Sequence, residues 1–85
     1  MEIRFTKHAL KQARDRGISS EEVKLTISNS TWHYEKYERS STVKLFEYSK
    51  SWQGVFYKRK EVRVIFREEN GKIIVITVIS RYFKT

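Results

Sequence analysis

The stretch VRVIFREENGKIIVITVISR, residues 62–81, decides the fold of this 85-residue chain. Two runs rich in β-branched residues flank Asn70 and Gly71. This dipeptide favours a type I′ turn, because both central residues of such a turn need positive φ. Both faces of the resulting ribbon are substantially apolar, which indicates a hairpin at the centre of a sheet rather than at its edge.

The register of this hairpin predicts a basic end opposite the turn. With Asn70 and Gly71 as the loop, Phe66 faces Val75 and Lys60 faces Arg81. The cations expected to meet there are Lys58, Arg59, Lys60 and Arg81, with Arg63 one position further in on the opposite face. We expect function at this end.

Two helices are predicted before the sheet. Thr6 is a suitable N-cap for the first, and Gly17 is suited to end it in the left-handed conformation. Ser19 and Glu22 have the spacing of a capping box for the second helix, which we expect to end near Asn29.

From residue 31 onward the apolar pattern alternates, as in strands. Strands are predicted over 32–38, 43–48 and 54–58 before the hairpin, and residues 1–5 are expected to form a short strand or an extended arm. Short connections without crossover helices favour antiparallel neighbours. We therefore predict a single α+β domain, residues 1–85, with two N-terminal helices packed on one face of a four- to five-stranded antiparallel sheet.

The chain is strongly basic, with 18 Lys and Arg against 10 Asp and Glu. This balance favours a polyanionic partner, nucleic acid before an anionic membrane, over a merely solvated basic surface. Cysteine is absent, which excludes disulfides, thiolate nucleophiles and cysteine-type zinc sites. Two histidines make a histidine-only metal site unfavourable, so no metal and no cofactor is expected. Neither a membrane span nor a signal peptide is recognisable, and a cytoplasmic location is expected.

The segment FTKHALKQARDRGISSEEV, residues 5–23, resembles the opening of a small prokaryotic domain family of unknown function. The matching positions are Phe5, His8, Ala9, Asp15, Arg16, Gly17, Ile18 and Ser19. The family usually has Arg-Met where this chain has Gln12 and Ala13. Its layout is similar to that of the RelE-like and barnase–colicin-type ribonuclease toxins. The resemblance implies two helices, a curved antiparallel sheet and a basic, metal-free site on that sheet.

Cleavage of RNA suits such a site because the substrate supplies its own nucleophile, the 2′-hydroxyl. The enzyme must supply a base, an acid and cations around the phosphorane. Arg63 and Arg81 are the candidates for binding phosphate and transition-state charge. His8 is a candidate acid or base because histidine exchanges protons near neutral pH, and Tyr82 is a second candidate for proton transfer. A purely structural role for His8, fixing its helix to the sheet, is the alternative.

Further residues are candidates for binding nucleic acid. They are Lys58, Arg59 and Lys60 on the hairpin, Lys7, Lys11 and Arg14 on the first helix, and Trp52 in a polar loop, where its ring is expected to be exposed. The helical cations are more typical of a solvated face than of phosphate contacts. No functional role is assigned to His33.

Two functions remain open on the sequence alone. The first is a small metal-independent endoribonuclease acting on RNA, as the toxin of a toxin–antitoxin pair whose acidic antitoxin protein would cover the basic face. The second is a non-catalytic module that binds nucleic acid or an acidic protein through the same face. A homodimer that buries the second face of the sheet would suit so small a core.

Overall fold

A computed structural model describes residues 2–85 and has two helices and a five-stranded sheet. In chain order the elements are β1 (Glu2–Phe5), α1 (Lys7–Asp15), α2 (Ser20–Asn29), β2 (His33–Tyr34), β3 (Ser40–Trp52), β4 (Val55–Glu69) and β5 (Lys72–Phe83). The α+β class is confirmed. The predicted N-terminal strand is present from Glu2, and Met1 lies outside the described residues.

Both helices begin and end where their capping residues predict. The Thr6 side chain accepts a hydrogen bond from the Ala9 amide at 3.1 Å, and Gly17 follows α1 with φ of +68°. At α2 both bonds of the capping box between Ser19 and Glu22 are present. Local chemistry therefore determines both helices.

The strand order is β1-β5-β4-β3-β2, and β1 pairs with β5 in parallel. The other three pairs are antiparallel. The prediction of a purely antiparallel sheet is thus wrong at one edge. In the chain, α1 and α2 lie between β1 and the other strands of the sheet. A parallel pair needs a crossover connection of this kind.

The two longest strands form one extended arm. The segments predicted as separate strands at 54–58 and 62–69 belong to a single strand, β4, which pairs with β3 up to Trp52 and Val55. The turn lies at Gln53 and Gly54, both with positive φ, and not at residues 49–51. The charged residues 59–61 do not interrupt β4, because Lys60 is accommodated inside the protein.

A bulge in β5 changes the predicted register. Phe66 pairs with Val75 as predicted, but Ile65 pairs with Thr77, so β5 contains one extra residue at Ile76. An extra residue reverses the faces of everything beyond it. Lys60 therefore pairs with Tyr82 rather than with Arg81.

The core lies between the helices and one face of the sheet. Its buried members are Ala9 and Ala13 of α1, Val23 and Ile27 of α2, Ile18 between them, and Val62, Val64, Phe66, Ile73, Val75 and Val78 of the central hairpin. Trp32 packs edge-on against Phe66 at 4.9 Å and donates a hydrogen bond to the Ile27 carbonyl at 2.8 Å. The helices cover this face of the sheet, and the other face remains exposed.

Candidate functional site

The uncovered side of the sheet, which we call the open face, carries alternate residues of three strands. They are Ser41, Val43, Leu45 and Glu47 of β3, Arg59, Glu61 and Arg63 of β4, and Thr77, Ile79 and Arg81 of β5. Arg63 and Arg81 share this face, because the β5 bulge turns Arg81 away from Lys60. The sequence predicted them on opposite faces.

Each arginine of the open face lies near a glutamate. The closest nitrogen–oxygen distances are 3.8 Å for Arg59 and Glu47, 3.9 Å for Arg63 and Glu35, and 3.8 Å for Arg81 and Glu61. The open face is therefore less basic than the composition implies. These pairs are long and solvent-exposed, and exposed pairs of this kind contribute little to stability. An incoming phosphate can therefore compete for the guanidinium groups.

A polar cleft of about 440 Å³ opens beside β2 on this face. His33, Glu35, Ser41, Thr42, Val43 and Arg63 line it. The Ser41 hydroxyl donates a hydrogen bond to Glu35 Oε2 at 2.8 Å, and Arg63 Nη2 lies 3.9 Å from the same oxygen. The cleft thus combines an imidazole, a carboxylate held by a hydroxyl, and a guanidinium.

The local sequence explains this grouping. Alternation along β2 places His33 and Glu35 on the face opposite Trp32, whose ring is held in the core. Pairing of His33 with Ser41 aligns β2 with β3, and Val43 in turn faces Arg63 of β4. Three chain segments distant in sequence therefore contribute to one cleft.

Another cleft of similar volume lies on the helix side. It is lined by Ile3, Ile27, Ser28, Ser30 and Trp32. It contains no carboxylate, imidazole or cation, whereas the cleft at His33 contains all three. Within residues 2–85, no three side chains of the metal-ligating types are grouped so as to hold an ion.

Lys60 lies on the helix side in a closely packed cluster and is 1% exposed. Its ammonium donates hydrogen bonds to the Gly17 carbonyl and, at 2.8 Å, to Glu22 Oε1. The rings of Tyr48 and Tyr82 lie 5.3 and 5.5 Å from the nitrogen. The predicted phosphate clamp requires an ammonium in solvent, whereas this ammonium joins β4 to the start of α2.

Tyr82 belongs to the same cluster rather than to the open face. Its hydroxyl donates to the Arg16 carbonyl at 2.8 Å, and its ring stacks on Trp52 with 5.5 Å between centroids. Burial raises the pKa of Tyr82 to about 12. A hydroxyl that is engaged and so weakly acidic is poorly placed for the predicted proton transfer.

The expectation of an exposed Trp52 is wrong. Its ring is half-buried between Tyr82 and Gly17, because the β3–β4 arm curves over the end of α1. Lys58 and Arg59 are exposed on the same arm, and Arg59 lies on the open face.

The predicted residues of α1 lie on the helix's outer surface, on the far side of the sheet from Arg63. The exposed side chains are His8, Lys7, Lys11 and Arg14. Lys11 forms an ion pair with Asp15 at 3.1 Å. The predicted catalytic residues are therefore not brought together: Arg63 and Arg81 are on the open face, and His8 and Tyr82 are on the helix side.

Sequence reasoning missed His33 and Glu35. The alternating pattern WHYEKYE, residues 32–38, does place an imidazole and a carboxylate on one face, and this was the available signal. The pattern does not reveal that β2 pairs with β3 and that β3 pairs with β4. These two pairings bring Ser41 and Arg63 to the same cleft.

The family model of the domain of unknown function DUF4258 matches residues 5–80. The chain therefore belongs to this family. Comparisons with curated proteins and with solved structures gave no match. No helix within residues 2–85 has the length and apolar character needed to cross a membrane.

Proposed function

We propose that this DUF4258 domain is a metal-independent endoribonuclease whose reaction centre is the cleft of His33, Glu35 and Arg63. The observation that carries the proposal is the presence of these three side chains in one cleft on an otherwise uncovered sheet face. A carboxylate, an imidazole and a guanidinium are the base, the acid and the phosphate-binding cation that cleavage through the 2′-hydroxyl needs.

In this reaction the 2′-oxygen of the substrate attacks the adjacent phosphorus. Glu35 accepts the proton of the 2′-hydroxyl, and Arg63 stabilises the charge on the non-bridging phosphate oxygens. Protonated His33 donates its proton to the leaving 5′-oxygen. The bond from phosphorus to that oxygen breaks, which leaves a 2′,3′-cyclic phosphate and a 5′-hydroxyl.

The contacts within the cleft favour these roles. Ser41 holds the Glu35 carboxylate by a hydrogen bond of 2.8 Å, which limits its rotation. Arg63 is 3.9 Å from that carboxylate, so its N–H groups can turn to a phosphate without breaking a short bond. Arg59 and Arg81, further along the open face, are suited to bind the phosphates of flanking nucleotides.

The toxin role belongs to this proposal as well. It is supported by the resemblance in layout to RelE-like toxins and by the small, basic chain. An acidic antitoxin would then bind over the open face and displace the three glutamates from their arginines.

The test is incubation of the purified protein with a labelled single-stranded RNA in EDTA. We expect cleavage that leaves 2′,3′-cyclic ends, and no cleavage at a position where the ribose is replaced by deoxyribose. Cleavage at the deoxyribose position would exclude the 2′-hydroxyl as the nucleophile.

Variants then locate the activity. His33→Gln should lower the rate by about 10²–10⁴-fold, the usual contribution of a general acid or base. His8→Gln, a matched change of the other histidine, should leave the rate unchanged. A loss of activity in His8→Gln alone would place the reaction on α1 instead.

A specific observation favours a second candidate, a non-catalytic module that binds an acidic protein on the open face. Val43 and Leu45 are 41% and 52% exposed there, between the arginine–glutamate pairs. Exposed aliphatic side chains beside charges are typical of protein-binding surfaces. This function predicts no RNA cleavage, and loss of partner binding in Leu45→Ser with RNA affinity unchanged.

A further inference from the structure

The turn between β2 and β3 has an unfavourable backbone conformation. Tyr37 and Glu38 have φ of 62° and 57°, and the Arg39 amide donates to the Lys36 carbonyl at 3.4 Å. This is the pattern of a type I′ turn, in which Gly and Asn are preferred because other residues are strained at positive φ. Two consecutive residues of other types in this conformation point to a function for their side chains.

The β4–β5 turn of the same protein provides a comparison. There the two positive φ angles belong to Asn70 and Gly71, the residues that adopt them most readily. The β2–β3 turn instead carries a tyrosine, and that side chain is 86% exposed. Neither packing nor backbone preference explains the ring of Tyr37.

The surroundings of Tyr37 fit an RNA strand. Glu35, which lines the polar cleft, is two residues away in the chain. Lys36 and Arg39 flank the turn and are exposed, and no ion pair joins either of them to a carboxylate in the part of the chain that the structure describes. The turn thus presents an aromatic ring together with two cations and the exposed Glu38, next in the chain to the segment that lines the cleft.

We propose that Tyr37 stacks on an unpaired base of the substrate, and that the domain therefore selects single-stranded over double-stranded RNA. This inference rests on the proposed function for the identity of the polymer. An aromatic ring can stack only on a base that is free of its neighbours, as bases in single strands are. Lys36 and Arg39 bind the phosphates on either side of that base.

The test is an anisotropy titration with a short fluorescein-labelled RNA of mixed sequence whose riboses are 2′-O-methylated, so that it cannot be cleaved. Tyr37→Asn removes the ring while keeping a residue that type I′ turns prefer. It should raise Kd by about 5- to 150-fold, the usual contribution of one stacked base. Tyr37→Phe, which keeps the ring, should bind as the wild type does.

Tyr34 provides the matched control. It is 76% exposed on the same edge of the sheet, but it lies on the helix side, since it pairs with Ser40 and Ser40 pairs with the buried Phe66. Tyr34→Asn should leave Kd unchanged. The wild type should also bind the same strand in a duplex more weakly, and Tyr37→Asn should remove that difference.

Failure of this inference and failure of the proposed function are distinguishable. Equal affinities of the wild type and Tyr37→Asn would overturn the inference, even if unmodified RNA is cut. An affinity that depends on Tyr37, with unmodified RNA left intact, would support stacking and contradict catalysis. Absence of RNA binding by the wild type would overturn both.

Discussion

Replacement of Lys60 by methionine tests the assignment of this residue to the fold rather than to RNA. Methionine keeps a flexible apolar stem of similar length in the space between the rings of Tyr48 and Tyr82. It removes the ammonium, which bonds the Gly17 carbonyl and Glu22 Oε1. The variant therefore leaves a carboxylate at α2 without its cation.

The expected loss follows from the burial of the pair. Lys60 is 1% and Glu22 20% exposed, and removal of one partner of a buried ion pair typically destabilises a protein by about 3–5 kcal/mol. Glu22 retains some access to water and its hydrogen bond from the Ser19 amide at 2.9 Å. We therefore expect the lower end, a decrease of about 3 kcal/mol in the free energy of unfolding.

Urea unfolding of a double-mutant cycle measures this. Glu22→Gln should also be destabilising, and the double variant should be more stable than the sum of the two single changes predicts, by about 1–3 kcal/mol. Lys58→Met, an exposed neighbour, should change stability by at most about 0.5 kcal/mol. Additive effects in the cycle, or a change below about 1 kcal/mol for Lys60→Met, would refute the buried pair.

Three other changes probe the same packing by urea unfolding. Gly17→Ala should destabilise by about 3 kcal/mol, since φ is positive there and the added methyl group would overlap the Trp52 ring, 2.6 Å from its Cη2 and closer still to its Cζ3. Gly71→Ala, also at positive φ but with nothing within 4 Å, should cost only about 1 kcal/mol, and equal losses would contradict the ring contact. Burial raises the pKa of Tyr82 from 10.0 to about 12, so the contribution of its protonated hydroxyl to stability is full below pH 10 and is lost as the pH rises to 12. The free energy of unfolding of Tyr82→Phe should therefore decline less steeply over that range than that of the wild type, and parallel curves of stability against pH would contradict this. Ser19→Ala should cost about 1 kcal/mol through loss of the capping box, and no loss would argue against it.

The helices and the hairpin turn could be predicted because each depends on neighbouring residues. Thr6 and Ser19 cap helices by bonds to amides three positions away. Asn70 and Gly71 adopt positive φ for reasons intrinsic to the two residues. All the residues that determine such a cap or turn lie within a few positions of one another in the sequence.

The bulge and the parallel strand could not be predicted because they depend on distant contacts. Both faces of β5 are apolar around Ile76, so the sequence pattern does not reveal which residue is the extra one. The bulge places Tyr82, not Arg81, beside Lys60. Because of this one extra residue, the cations are grouped differently in the structure than the sequence predicted.

The candidate site was predicted in part for the same reason. Arg63 was identified because the hairpin pattern places it near the basic end of the sheet. His33 and Glu35 lie on a two-residue strand, β2, whose place at the sheet edge depends on its pairing with β3. The charge of the open face was overestimated, because the glutamates opposite the arginines come from other strands.

The central claim is that Glu35 is the base of an RNA-cleaving site, and its most direct test is a single-turnover cleavage rate in EDTA. Glu35→Gln keeps the shape of the side chain and an oxygen for the Ser41 hydroxyl. Arg67→Gln, a change of an exposed arginine that pairs with Glu69 away from the cleft, serves as the control. We predict a rate lower by about 10²–10⁴-fold in Glu35→Gln and an unchanged rate in the control. Equal rates in the wild type and a folded Glu35→Gln variant, or no cleavage by the wild type, would contradict the account.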